Sequence, residues 1–227
     1  MVFLLNLPLR FNKLIYMKKR KTIYHLIVDE SESMNDCIES TINGINEQIN
    51  KIKSLQNDFI DEEITIGLTT FNDNVKHHFF QSIPSETKLI DFTFYEPNGA
   101  TALFDAIGTT VKIIENEVNL ENKLLQSTLV FVILTDGYEN ASKFYNLETI
   151  RSNISRLEKT GRWVFSFIGA TLDAVIIAND MAIKPHNSFN FDKSEMNSMV
   201  WKKLSNAMTT YFDKKSNGKN ISNLFDV

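Results

Sequence analysis

Leu129-Val130-Phe131-Val132-Ile133-Leu134 places six apolar residues in a row. A run this short, apolar on both parities, belongs to a strand covered on both faces, as in the middle of a parallel sheet. The surrounding text fits such a sheet. Ile23 to Val28 is a second apolar run, closed by Asp29, and Trp163 to Ile168 is a third. Ile64, Ile66 and Leu68 alternate with Thr65, Gly67 and Thr69, the period of a strand. Phe71-Asn72-Asp73-Asn74-Val75 reads as a tight turn into a further strand, Val75 to Gln81. A turn that short cannot make a parallel crossover, so this pair is antiparallel and sits at a sheet edge.

Helical stripes separate the strands. Ile38, Ile42, Ile45, Ile49, Ile52 and Leu55 recur at spacings of three and four, as do Leu103, Ile107, Val111, Ile114 and Val118. Leu147, Ile150, Ile154 and Leu157 form a third stripe, ended by Gly161. A helix near Leu172 to Met181 and a short strand near Ser188 to Phe191 follow. The last helix opens at Asp192 with Glu195 three residues on, a capping-box pattern, and turns Met196, Val200, Leu204, Ala207 and Tyr211 inward. Strands alternating with helices predict an α/β fold: a doubly wound, Rossmann-like, mostly parallel sheet with one antiparallel edge strand.

No repeat or linker interrupts this pattern, so residues 20–213 are expected to form one domain. Residues 1–19 read as an N-terminal extension and 214–227 as a polar, frayed tail. The opening stretch MVFLLNLPLRFNKLIY has no basic residue before its apolar run and no small-x-small cleavage site, and polar residues interrupt it too often for a membrane span. A cytoplasmic protein with no membrane partner is the expectation. The single cysteine, Cys37, excludes a disulfide framework and a cysteine-rich zinc site. With 24 Lys plus Arg against 28 Asp plus Glu, the chain lacks the basic face that nucleic-acid binding needs.

In doubly wound folds the functional crevice lies beyond the carboxyl ends of the strands. Two apolar strands end there in acids. Asp29 begins Asp29-Glu30-Ser31-Glu32-Ser33, and Asp136 closes Leu134-Thr135-Asp136-Gly137. Asn98-Gly99-Ala100-Thr101 opens a helix between them in sequence. Carboxylates at buried strand ends need compensation, and no Lys, Arg or His follows either acid closely. A divalent cation would supply it. Two carboxylates with three hydroxyls make an oxygen-only donor set, which suits Mg2+, Mn2+ or Ca2+ rather than zinc.

Asp29-x-Ser31-x-Ser33, Thr101 and Asp136-Gly137 match in order the metal-ion-dependent adhesion site of von Willebrand factor type A domains. The wider text, including GLTTFND, NGATALFDAIG, VILTDGYENAS and FIGATLDA, resembles the stand-alone bacterial members. The resemblance implies that Ser31, Ser33 and Thr101 coordinate Mg2+ through their hydroxyls, while Asp29 and Asp136 act largely through water or hydrogen bonds. It further implies that a protein partner's Asp or Glu completes the metal shell. The sequence departs from the family at Glu32, where most members have Gly; with Glu30 it adds negative charge to the loop, unless both side chains face solvent.

A binding module, not an enzyme, is therefore expected. The competing reading is a metal-dependent phosphoesterase or nuclease using the same carboxylates. Yet no Lys or His is placed to assist, and neither a Gly-x-Ser-x-Gly elbow nor a phosphate-binding glycine loop is present. A third reading is a subunit of a larger complex, such as an adaptor for an ATPase. Glu139, Asn140 and Ser142 could line the crevice or cap a loop, and Asp105 could brace that loop. His77 and His78 are adjacent on a strand, point to opposite faces and cannot readily share a metal. His25 reads as a core residue.

Overall fold

A computed structural model describes residues 20–120, 127–219 and 222–225. The expected extension, residues 1–19, and parts of the tail lie outside them. Among the described residues six strands form one sheet: β1 (Arg20–Asp29), β2 (Glu62–Phe71), β3 (Val75–Ser82), β4 (Ser127–Thr135), β5 (Trp163–Gly169) and β6 (Ser188–Asn190). Their order is β3-β2-β1-β4-β5-β6. Only the β2–β3 pair is antiparallel, as the short turn after Phe71 requires.

The helices α1 (Ile38–Asp58), α2 (Leu103–Leu120), α3 (Leu147–Glu158), α4 (Ala174–Asp180) and α5 (Trp201–Ser216) cover both faces. On β4, Val130, Val132 and Leu134 join the core under α1 and α5, whereas Leu129, Phe131 and Ile133 join the core under α2, α3 and α4. This division explains the uninterrupted apolar run: neither parity meets water. On α1, Gly44 faces Trp201 so closely that a Cβ there would lie 1.8 Å from the indole ring. A side-chain-free position lets α5 seat its largest residue against α1.

The entry to α5 differs from one continuous α-helix. Asp192 and Glu195 do form the capping box, but Lys193–Glu195 wind as a 3-10 turn and Met196–Val200 as a π-helix. Met196, Val200, Trp201 and Leu204 are all buried along this entry. The tail is also less frayed than its polarity suggests. The Lys215 ammonium is buried against Glu62 and Thr22 at the amino ends of β1 and β2, and Leu224 is buried with its N–H on Asn187 Oδ1 at 2.6 Å.

Helices cross to one side of the sheet after β1 and to the other after β4. These two strands are neighbours, with Val28 opposite Leu134. Their carboxyl ends therefore open the crevice at the point where the winding reverses.

Candidate metal centre

Asp29 is the last residue of β1 and fully buried. Its carboxylate is held from both sides: Ser31 N–H donates to Oδ1 at 2.8 Å, and the Thr135 hydroxyl, at the end of β4, donates to Oδ2. Tyr95 fixes the backbone by donating its hydroxyl to the Asp29 carbonyl. Burial pushes the Asp29 carboxyl up to about 6, against the pull of the Thr135 and Ser31 hydrogen bonds, and the neighbouring Asp136 adds to the rise. A carboxyl so placed gains from a cation beside it.

Ser31 and Ser33 follow on the loop after β1. Their hydroxyls lie 3.0 Å apart, and Ser33 Oγ donates to Asp136 Oδ1 at 2.6 Å. Ser31 is buried and Ser33 exposed, so the group opens to solvent on the Ser33 side. Thr101 precedes α2 and is held by two bonds with Asn140, N–H to Oδ1 at 2.8 Å and carbonyl from N–H at 3.0 Å. The convergence shows at Gly137. A Cβ there would stand 3.0 Å from Thr101 Oγ1 and 3.7 Å from both Asp29 Oδ2 and Ser33 Oγ. Oxygens from two separate chain segments thus ring one small space that glycine leaves free, and Asp136, on a third, is bonded to one of them.

All five residues expected from the sequence, Asp29, Ser31, Ser33, Thr101 and Asp136, meet in this cradle. The donors present fit a small hard cation: all are oxygens, and one margin stays open. Among the described residues, no cluster of three or more His, Cys, Asp or Glu side chains is arranged for a metal.

The two acidic neighbours behave differently. Glu32 is exposed, but Glu30 is buried and does not face solvent. Its carboxylate accepts from Thr70 Oγ1 at 2.7 Å and Glu96 N–H at 2.9 Å and pairs with Lys76 at 3.2 Å. Glu30 ties the loop to β2 and β3, and its charge is neutralised away from the cradle. Further out, Glu139 accepts from the N–H groups of Phe104, Ala141 and Ser142. Asp105 is buried and accepts from the N–H groups of Lys143, Phe144 and Tyr145 at 2.8–2.9 Å. These two acids lock the loop after Gly137 onto the start of α2. His77 and His78 bond Thr69 and Thr70 separately, and His25 is buried in the core.

Sequence reasoning missed Lys193. Its ammonium pairs with Asp136 Oδ2 and donates to the Ser33 carbonyl at 2.8 Å. Partial burial works against the charge, but the Asp136 carboxylate outweighs it and holds the lysine above its usual value. The only signal was positional: Lys193 follows the carboxyl end of β6, at the same edge of the sheet as Asp29 and Asp136.

Sheet order and helix placement define a doubly wound α/β domain of the von Willebrand A-like class. The sequence profile of the von Willebrand factor type A domain matches residues 25–207, and the chain belongs to that family. No curated protein sequence matches it. Among solved structures, proximal thread matrix protein 1 from the mussel byssus is 19% identical with a TM-score of 0.52, covering 82% of this chain and 45% of that one. The ArnB paralog VWA2 from Sulfolobus acidocaldarius is 13% identical, TM-score 0.51, covering 82% of this chain and 45% of that one. The manganese-loaded TRAP protein of Plasmodium vivax is 18% identical, TM-score 0.50, covering 80% of this chain and 71% of that one. These likenesses show the fold. The chain spans less than half the length of the first two.

Proposed function

We propose that this chain is a divalent-cation-dependent protein-recognition module, with Ser31, Ser33 and Thr101 holding the ion through their hydroxyls and Asp29 and Asp136 supporting them. The observation that carries this reading is the ring of Thr101, Asp29 and Ser33 oxygens around Gly137. Family membership and the manganese in the similar TRAP protein support it. When bound, the cation would supply an electrophilic contact for an external anionic oxygen, and a partner's Asp or Glu side chain is the group that fits. Mg2+ is the expected resident, with Mn2+ and Ca2+ suited to the same donors.

Binding rather than turnover is favoured because the cradle's donors are mostly hydroxyls and the ammonium nearest them, Lys193, is engaged by Asp136. The protein's place is the cytoplasm, where its partner would be one acidic protein surface or a larger assembly such as an ATPase it adapts. Among the described residues, no helix is long and apolar enough to cross a membrane. Calorimetry with Mg2+, Mn2+ and Ca2+ tests the reading. One site is expected, abolished or severely weakened in Asp29→Ala; undiminished binding in that variant would sink the assignment.

A further inference from the structure

We propose that Lys193 is a tethered competitor of the divalent cation, an internal ammonium that occupies the acidic side of the cradle and must leave when the metal enters. The inference rests on the metal-binding reading above. It starts from one contact: the Lys193 ammonium lies on Asp136 Oδ2 while donating to the Ser33 carbonyl at 2.8 Å. It therefore bridges two of the segments that supply the cradle's oxygens. The Asp136 side chain is fully buried, whereas that of Lys193 is 37% exposed. The acid is fixed and the cation is the part free to leave.

The backbone that delivers Lys193 is anchored. Asp192 Oδ1 accepts from Ser194 N–H at 2.9 Å, and Glu195 Oε2 accepts from Asp192 N–H at 3.2 Å. The four-carbon stem supplies the reach and the freedom. The ammonium also has somewhere to go. A cavity of about 590 Å³ beside it is lined by Ala170, Leu172, Asn190 and Phe191 together with the acids Asp192 and Glu195.

Two cations cannot share Asp136 cheaply. A divalent ion drawn to the same carboxylate repels the ammonium already there, so the two states exclude each other. Metal affinity is lowered by the strength of the Lys193–Asp136 pair. Metal entry in turn unfastens the start of the capping turn from the Ser33 loop, linking the site to the segment that leads into α5.

Lys193→Met removes the charge and keeps the stem. A partly exposed ion pair of this kind predicts metal binding tighter by about two- to fivefold, with Lys193→Arg staying near wild type. Calorimetry with Mg2+ and Mn2+ on the full chain reads this directly. Equal or weaker binding in a Lys193→Met protein that melts like wild type overturns the proposal. A second measurement needs no variant: reductive methylation of the wild-type protein, mapped by mass spectrometry. Lys193 should label slowly without metal and several-fold faster at saturating Mg2+, while Lys215 stays slow. Unchanged or slower Lys193 labelling at saturation also overturns it. Should neither wild type nor Lys193→Met bind any of the cations, the metal-binding reading itself fails.

Discussion

Ser33 Oγ donates to Asp136 Oδ1 at 2.6 Å, joining the loop after β1 to the end of β4 across 103 residues of sequence. The bond presets two of the expected ligands before any cation arrives, and preorganisation of this kind raises affinity without adding a contact. Ser33→Ala removes one metal donor and frees the Asp136 oxygen. Since Ser33 is exposed, the folded state should lose only about 1 kcal/mol. Metal affinity should fall at least about tenfold, the hydrogen-bonded support that Asp136 gives a ligand being worth that much in itself. Parallel calorimetry and urea unfolding separate the two effects; a stability loss without an affinity loss would count against Ser33 as a ligand.

Gly137→Ala probes the cradle without touching any donor. Its methyl would stand 3.0 Å from Thr101 Oγ1, inside the space the oxygens surround. Gly137 is not among the glycines with positive φ, so alanine brings no backbone strain. Metal binding should weaken by about tenfold or more while stability shifts by about 1 kcal/mol or less. Wild-type affinity in this variant would place the ion elsewhere.

How much of this was legible follows from the range of each signal. The Leu129–Leu134 run and the turn after Phe71 are local patterns, and they suffice for a central strand and an antiparallel edge. Asp29 and Asp136 stand out because Asp29 directly follows an apolar run and Asp136 follows one after a single threonine. Glu30 was not legible: its charge is cancelled by Lys76, two strand pairings away, so only the registers of β1 on β2 and of β2 on β3 reveal that it turns inward. Asp105 is similar, since its three N–H donors come from a loop that is 38 to 40 residues further on. Lys193 was hidden by the same cause. Reading charge balance along the chain left both acids uncompensated, whereas the sheet order brings a lysine from beyond β6 to one of them.

Gly44→Ala tests the packing of α5 on α1. Alanine favours a helix over glycine by about 1 kcal/mol, so propensity alone would stabilise the variant. The new methyl, however, would fall 1.8–2.1 Å from three atoms of the Trp201 indole, which is itself buried. Overpacking of this kind costs about 1–3 kcal/mol, and at so short a distance it should outweigh the helical gain. Chemical denaturation is expected to show a net loss, with the emission of Trp201 shifted in the folded protein. A variant as stable as wild type would mean that α5 can slide away from α1 at no cost.

His25 should make the fold sensitive to acid. It is fully buried on β1, with Nε2 and Thr69 Oγ1 2.9 Å apart and its ring stacked near Phe131. Burial, with a smaller contribution from His77, lowers its pKa from 6.5 to about 3. The unfolded chain therefore takes up a proton below pH 6.5 that the folded one refuses until about pH 3. Stability contributed by neutral His25 is present in full above pH 6.5 and lost as the pH falls, approaching about 1.4 kcal/mol per pH unit. Between pH 7 and pH 5 the loss should reach about 2 kcal/mol. His25→Gln cannot titrate, so urea unfolding of both proteins at the two pH values isolates the histidine from the carboxyl groups. The wild type should lose about 2 kcal/mol more than the variant on acidification. Parallel losses in the two proteins would show that His25 gains a proton in the folded state.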